Sequence, residues 1–190
     1  MVLISIIIGL GIAHILLGLG GIVDRLVGRG ERLNLSVAYA AWLANVFIWL
    51  VMFWWWQFRL DELWSDWTVG RYLFLILYSV VVFLNAAILV PRSWDGVSDL
   101  GEFFVQRRAW FYSAFIIGTM LDVVDSYLKG GMEYILVTTG FWVWLLWAGT
   151  LLVCAIGIRV SDRRFHAAGG IGIVILNTLV GFEVLDKLGL

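Results

Sequence analysis

Six apolar runs divide this chain, and nearly all of its charged residues fall between them. Each run has about 20 residues, the length that an α-helix needs to cross a hydrocarbon layer ~30 Å thick. An isolated apolar segment in lipid must satisfy its own backbone hydrogen bonds, so helix is the expected conformation. The predicted membrane spans are residues 2–23, 35–58, 72–91, 109–128, 134–158 and 167–185.

This pattern predicts an all-α membrane protein, a compact bundle of six transmembrane helices with short loops. Charged residues make up 14% of the 190 positions and hydrophobic residues 62%, whereas an ordinary soluble domain has about 25% charged residues. The longest stretch between spans, 92–108, is too short to fold separately. We therefore expect residues 1–190 to form a single transmembrane domain.

Basic residues are distributed unevenly among the loops. Nine of the 13 Lys and Arg residues lie in or beside the first, third and fifth loops, and the other four lie in the second and fourth loops or after the last span. Short loops rich in Lys and Arg stay in the cytoplasm, so we expect the odd-numbered loops inside and both termini outside the cytoplasm. In the third loop, Asp99 and Glu102 have the spacing of a capping box, which predicts a helix that begins before Phe103.

A few polar residues lie inside the predicted spans, where each costs free energy and therefore indicates a function or a specific helix contact. Counting along the helices places His14 and Asn177 near mid-membrane and Asn85 nearer the cytoplasm, with two aspartates and a glutamate in the outer third. Together these residues form a hypothetical ion pathway: Asp122, Asp125, Glu183, His14, Asn85 and Asn177.

The two aspartates, Asp122 and Asp125, are three residues apart and so share one helix face. Glu183 is expected at the same depth on another helix. Carboxylates that converge in a low-dielectric site cannot all ionise, so such a cluster attracts protons or cations. The alternative is that Asp125 and Glu183 each pair with a lysine one turn away, at the wet interface, and that His14 only hydrogen-bonds between helices.

Tryptophan is abundant, with 12 residues, and most of them fall near span ends, as expected of aromatic belts. Trp142, Trp144 and Trp147 lie deeper in the fifth span. They are interpreted either as packing residues or as the lining for a flat apolar ligand such as a quinone or lipid.

Several classes of site are not supported by the sequence. Two histidines at different depths, His14 and His166, do not provide the paired axial ligands of a membrane haem, and one cysteine provides no metal motif. No catalytic or phosphate-binding motif is present, and the near-neutral charge balance gives no nucleic-acid footprint. We expect neither an enzyme nor a bound cofactor or metal.

Three segments resemble a family of small bacterial integral membrane proteins that have no assigned activity. They are Gly11-Ile12-Ala13-His14 through Asp24-Arg25, the tryptophan-rich end of the second span, and Glu102-Phe103-Phe104 leading to Arg107-Arg108-Ala109-Trp110-Phe111. The resemblance covers the whole chain. It implies a location in the bacterial inner (plasma) membrane and supplies no active site.

Two classes of function therefore stand open. One is a channel or transporter for a small cation or for protons, with an acidic cluster in the outer leaflet. Six short helices are few for enclosing a pore, so this class favours a homo-oligomer. The other is a non-transporting membrane protein that binds a lipid, a quinone or a protein partner.

Overall fold

The computed structural model describes residues 2–28, 33–58, 67–138 and 140–187, with side chains for all of these except 58, 137, 138 and 182–187. Regular secondary structure in these ranges is helical, as predicted. Five of the six helices are long and apolar enough to cross a membrane, and α5, with 17 residues, is shorter. They are α1 (Val2–Val27), α2 (Val37–Phe58), α3 (Val69–Leu89), α4 (Leu100–Thr138), α5 (Phe141–Gly157) and α6 (Arg163–Lys187).

The helices alternate in direction along the chain. Gly11 of α1 faces Phe83 of α3, and Gly18, further along α1, faces Val90 just after the end of α3. The contacts advance in the same direction along both segments, so these two helices run parallel. Contacts among the other helices show that α2, α4 and α6 are parallel to one another and that α5 is antiparallel to them. This alternation includes the shorter α5.

The six helices form a closed ring in the order α1, α3, α4, α5, α6, α2, and α2 also contacts α3 and α4 across it. Large apolar side chains are exposed on the outer surface of every helix. An apolar surface of this extent needs an apolar solvent. The fold is that of a multi-pass integral membrane protein.

Two helix ends at the third loop follow directly from the sequence. α3 ends at Leu89, shortly before Pro91, because the residue before a proline is restricted away from helical conformation. Asp99 caps α4: its Oδ1 accepts a hydrogen bond of 2.8 Å from the backbone N–H of Glu102. The predicted start of this helix before Phe103 is confirmed.

The loops that precede α2, α4 and α6 meet at one end of the bundle, called here the Asp99 end. The Arg25 guanidinium at the end of α1 donates to the backbone carbonyls of Trp94 and Val97. Nη1 of Arg163, the first residue of α6, lies 2.9 Å from Oδ2 of Asp99. The odd-numbered loops therefore share one side, as their arginine content predicts.

The predicted fifth span needs correction at its start. Gly130 and Gly131 leave helical conformation, with φ of 68° at Gly131, and a separate helical segment follows to Thr138. The expected span 134–158 thus belongs to two helices: its first residues lie in this segment, and α5 begins only at Phe141. Gly140 is extended and precedes the first turn of α5, and glycine is a poor helix former, which explains why α5 begins after it.

One close helix contact for which glycine is required lies between α2 and α6. A Cβ atom added to Gly170 would lie 2.9 Å from the Cβ of Ala41 and 3.1 Å from Nε1 of Trp42. This approach lets the indole of Trp42 donate a 3.0 Å hydrogen bond to the carbonyl of His166. Small residues at helix contacts of this kind let the backbones pack closely in lipid.

We predict that Gly170→Ala destabilises the protein by about 1–3 kcal/mol, because overpacking must shift Ala41 or Trp42. The matched control is Gly172→Ala on the same helix, where an added Cβ meets nothing within 4 Å. That variant should be neutral or more stable, because alanine is the better helix former. Unfolding titrations in detergent would measure both, and equal stabilities would contradict the close contact.

A second prediction concerns the Asp99 cap. Partial burial opposes ionisation of Asp99, but backbone hydrogen bonds from Glu102 and Gly101 and the nearby Arg163 outweigh it and lower the pKa of this carboxyl. A lowered folded-state pKa adds stability above the ordinary pKa, and this stability is lost as the pH falls through the folded-state value.

Asp99→Asn keeps a side chain suited to capping and removes the titrating charge. Its unfolding free energy should fall less steeply than that of the unmodified protein between about pH 5 and pH 2. Parallel slopes for the two proteins over this range would disprove the contribution of Asp99.

Candidate functional site

A cavity of about 130 Å³ lies among α2, α4, α5 and α6, away from the Asp99 end. One water molecule needs roughly 10–15 Å³ of such space, so the cavity can hold several waters or a small molecule. Its polar lining, among the described residues, consists of Gln57, Tyr78, Thr119, Asp122, Asp125, Ser126, Lys129, Tyr134, Thr150 and Asn177.

Asp122 is held by two different helices. Its Oδ1 accepts a 2.8 Å hydrogen bond from the Tyr78 hydroxyl of α3, and its Oδ2 accepts one of 2.8 Å from Nε1 of Trp147 in α5. Each carboxylate oxygen can accept about two hydrogen bonds, so acceptor capacity remains. Asp122 is thus fixed in position and can still interact with a ligand.

Asp125 lies one turn further along α4 and is paired with Lys129. Nζ of Lys129 lies 2.5 Å from Oδ2 of Asp125, and the two side chains are only 5% and 3% exposed. The expected pairing of Asp125 with a lysine is therefore present. It lies inside the bundle, however, and not at a wet surface.

Two buried oxygen acceptors at this cavity have no hydrogen bond of good geometry among the described residues: Oδ1 of Asp125, which lies beside the Gln57 side chain, and Oε1 of Gln57. Both residues are buried, with exposures of 2% and 4%. An unsatisfied buried polar atom costs roughly 1–3 kcal/mol and calls for a water, an ion or a ligand as its partner. A water or ligand that donates hydrogen bonds to these oxygens would therefore be stabilised in the cavity.

The cavity is closed towards the Asp99 end by polar and aromatic contacts. Nδ2 of Asn177 donates to Oδ1 of Asn45 at 3.1 Å, and Nδ2 of Asn45 donates to the carbonyl of Gly170 at 2.8 Å. On the side of these amides nearer the Asp99 end, Trp42 packs edge-to-face on Phe115 with ring centroids 5.4 Å apart. This layer separates the cavity from the opposite end of the bundle.

The three deep tryptophans of the fifth span differ in role. Trp147 is buried and lines the cavity, whereas Trp144 is 44% exposed and packs edge-to-face on Trp147, with centroids 5.6 Å apart. Trp142 is half-buried beside Phe141. Of the three, Trp147 is the residue that faces the cavity.

The remaining residues of the hypothetical ion pathway lie elsewhere. His14, on α1, packs against Phe83 at 6.5 Å between ring centroids, and its buried Nε2 has no partner among the described residues. Asn85 is fully buried and donates to the carbonyl of Val81 on its own helix. The side chain of Glu183 lies outside the described residues. The structure thus brings Asp122, Asp125 and Asn177 to one cavity and keeps His14 and Asn85 apart from it.

Tyr78 and Gln57 are site residues that the sequence reasoning did not single out. Tyr78 lies in the middle of an apolar helix, so its hydroxyl needs a partner as much as the side chain of an asparagine does. Counting buried tyrosine hydroxyls among the intramembrane polar groups would have found it. Gln57 lies at the end of a tryptophan-rich run, where sequence position suggests an interface.

A second buried polar pair lies nearer the Asp99 end. Nε2 of His166 is 3.1 Å from the carbonyl of Val160, and Nδ1 is 2.8 Å from the Tyr112 hydroxyl. Because a carbonyl only accepts, Nε2 carries the proton, and in the neutral ring Nδ1 accepts from Tyr112. Both nitrogens are satisfied, so this histidine is held as a link between α4 and α6.

Within the part of the chain that the structure describes, no group of three or more His, Cys, Asp or Glu side chains could hold a metal ion. Comparison of the chain with protein-family models, with curated proteins and with solved structures finds no match.

We predict that Lys129→Met lowers the unfolding free energy by about 3–5 kcal/mol, because it leaves the Asp125 carboxylate buried and unpaired. Asp125→Asn in the same chain should recover a large part of this loss, because it removes the uncompensated charge. Denaturant titrations in detergent on the two single variants and the double variant would measure the coupling. Additive losses would show that the two side chains do not form an ion pair.

Proposed function

We propose that this protein binds a monovalent cation in the cavity between α2, α4, α5 and α6 and carries it across the membrane. The observation that supports the proposal is the shared cavity of Asp122 and Asp125. Carboxylates are rare inside membrane bundles and mark ion or proton pathways in transporters.

The charge balance of the cavity favours a single positive charge. Among the described residues, its charged lining consists of Asp122, Asp125 and Lys129. Lys129 compensates Asp125, so Asp122 remains as one excess negative charge. In a low-dielectric environment this charge is uncompensated until a proton or another monovalent cation joins it.

The hydrogen bonding at the cavity adds a second argument. Asp125 and Gln57 both line the cavity, and each keeps a buried oxygen without a partner among the described residues. The space beside them is large enough for several waters. A hydrated cavity with acidic walls is an expected binding site for a cation.

Transport further requires that the cavity communicate with both sides of the membrane. The Asn45–Asn177 contact and the rings of Trp42 and Phe115 lie between the cavity and the Asp99 end. In this proposal they form a gate that must open for release, and the present arrangement is a state closed on that side. Movement of this layer would give alternating access.

The proposal includes the orientation and environment inferred from the sequence. The loop arginines and the resemblance to bacterial membrane proteins support an inner-membrane location with the Asp99 end in the cytoplasm. The exposed apolar faces leave room for a homo-oligomer. A non-transporting protein that binds a lipid, a quinone or a protein partner is the alternative, and the tests below separate the two.

Proteoliposomes provide the direct test. We expect charge movement under a gradient of protons, Na⁺, K⁺ or tetramethylammonium, and we expect Asp122→Asn to reduce it at least about tenfold, because the variant loses the uncompensated carboxylate. The matched control is Glu133→Gln, which removes an exposed carboxylate that does not line the cavity. The control should retain the activity of the unmodified protein.

Two outcomes would contradict transport. One is the absence of charge movement under all four gradients, and the other is equal activity of the unmodified protein and Asp122→Asn. Detection by mass spectrometry of a quinone or lipid that co-purifies with the protein and is lost in Trp147→Ala, together with absent flux, would favour the non-transporting alternative.

A further inference from the structure

Aromatic residues from four helices line part of the cavity, and they narrow the chemistry of the cation. Side chains from α2, α3, α4 and α5 surround the space with ring surfaces: Trp49, Phe53, Trp56, Tyr78, Phe115 and Trp147. Aromatic faces attract cations through the ring quadrupole, and boxes of such rings recognise substituted ammonium groups.

The rings and the carboxylate lie together. The hydrogen bonds of 2.8 Å that hold Asp122 come from Tyr78 and Trp147, which are themselves cavity-lining residues. The Trp49 indole N–H in turn donates to the Tyr78 hydroxyl at 3.3 Å. A cation near Asp122 is therefore bordered by the rings that position this carboxylate.

The lining does not form a metal centre. A hard cation such as Ca²⁺ takes six to eight oxygen ligands, and no group of three or more His, Cys, Asp or Glu side chains in the described part of the chain could hold a metal ion. Among the described residues, the acceptors without a partner at the cavity are one oxygen of Asp125 and one of Gln57. Two acceptors suit the N–H or O–H donors of an organic molecule.

We propose that the cavity binds a small organic ammonium ion, with its positive group between Asp122 and the surrounding rings and its N–H or hydroxyl donors directed to Asp125 and Gln57. This inference rests on the proposed function, because it names the cation for the same site. A cavity of about 130 Å³ suits a small ligand of this kind.

Binding to the purified full-length protein tests this inference with three probes. Choline carries a quaternary ammonium and a hydroxyl, 3,3-dimethylbutan-1-ol has the same shape without the charge, and Na⁺ has the charge without the organic surface. Isothermal titration calorimetry in detergent should detect choline and neither of the other two.

Single substitutions test whether choline binds at this cavity. Asp122→Asn should weaken choline binding at least tenfold, and Glu133→Gln should leave it unchanged. Trp56 separates a ring contact from simple bulk: Trp56→Phe keeps an aromatic face and should retain most of the affinity, whereas Trp56→Leu should lose roughly threefold to tenfold. Circular dichroism and the unfolding midpoint of each variant verify that it is folded.

The inference is overturned if choline does not bind, if the uncharged analogue binds equally well, or if folded Asp122→Asn binds choline as the unmodified protein does. Its failure is distinct from that of the proposed function. Proton, Na⁺ or K⁺ flux that depends on Asp122 without choline binding would leave transport standing and remove the ammonium ligand. Choline binding with no flux under any of the four gradients would do the reverse.

Discussion

The close contact between α2 and α6 at Gly170 determines much of the remaining architecture. Because no Cβ atom intervenes there, Trp42 and Asn45 reach the backbone carbonyls of α6 with hydrogen bonds of 3.0 and 2.8 Å. In an apolar solvent the hydrophobic effect does not drive helices together, so close packing and such hydrogen bonds hold the bundle. The cavity lies on the side of this contact towards Gln57, and both helices contribute to its lining.

The polar groups of the bundle serve two different purposes. Where every group has a partner, as at His166 with Tyr112 and Val160, the contact joins helices and leaves nothing for a ligand. At the cavity the hydrogen-bonding capacity of the polar groups is not fully used, because Asp125 keeps an oxygen without a partner among the described residues. Burial makes such an oxygen costly, and a hydrogen-bond donor in the cavity would offset this cost.

Part of the site could be predicted from the sequence. Asp122 and Asp125 share a face because they are three residues apart on a helix, and the structure places both at the cavity. Helix spacing cannot say which residue of another helix meets them, since this depends on the rotation and neighbours of each helix. For that reason the spacing does not predict the contact of Tyr78 with Asp122, and the predicted grouping of His14 with the carboxylates is wrong because the packing of α1 separates them.

The sequence by itself determined the solvent, the helical conformation and the sharing of one side by the odd-numbered loops. These properties follow from the length of each apolar run and from local residues such as Asp99 and Pro91, which act over a few positions. Only the tertiary structure decided which helices are neighbours and which polar groups share a cavity. Such outcomes depend on the fit of whole helix surfaces, in which one close contact such as Gly170 orients two helices at once.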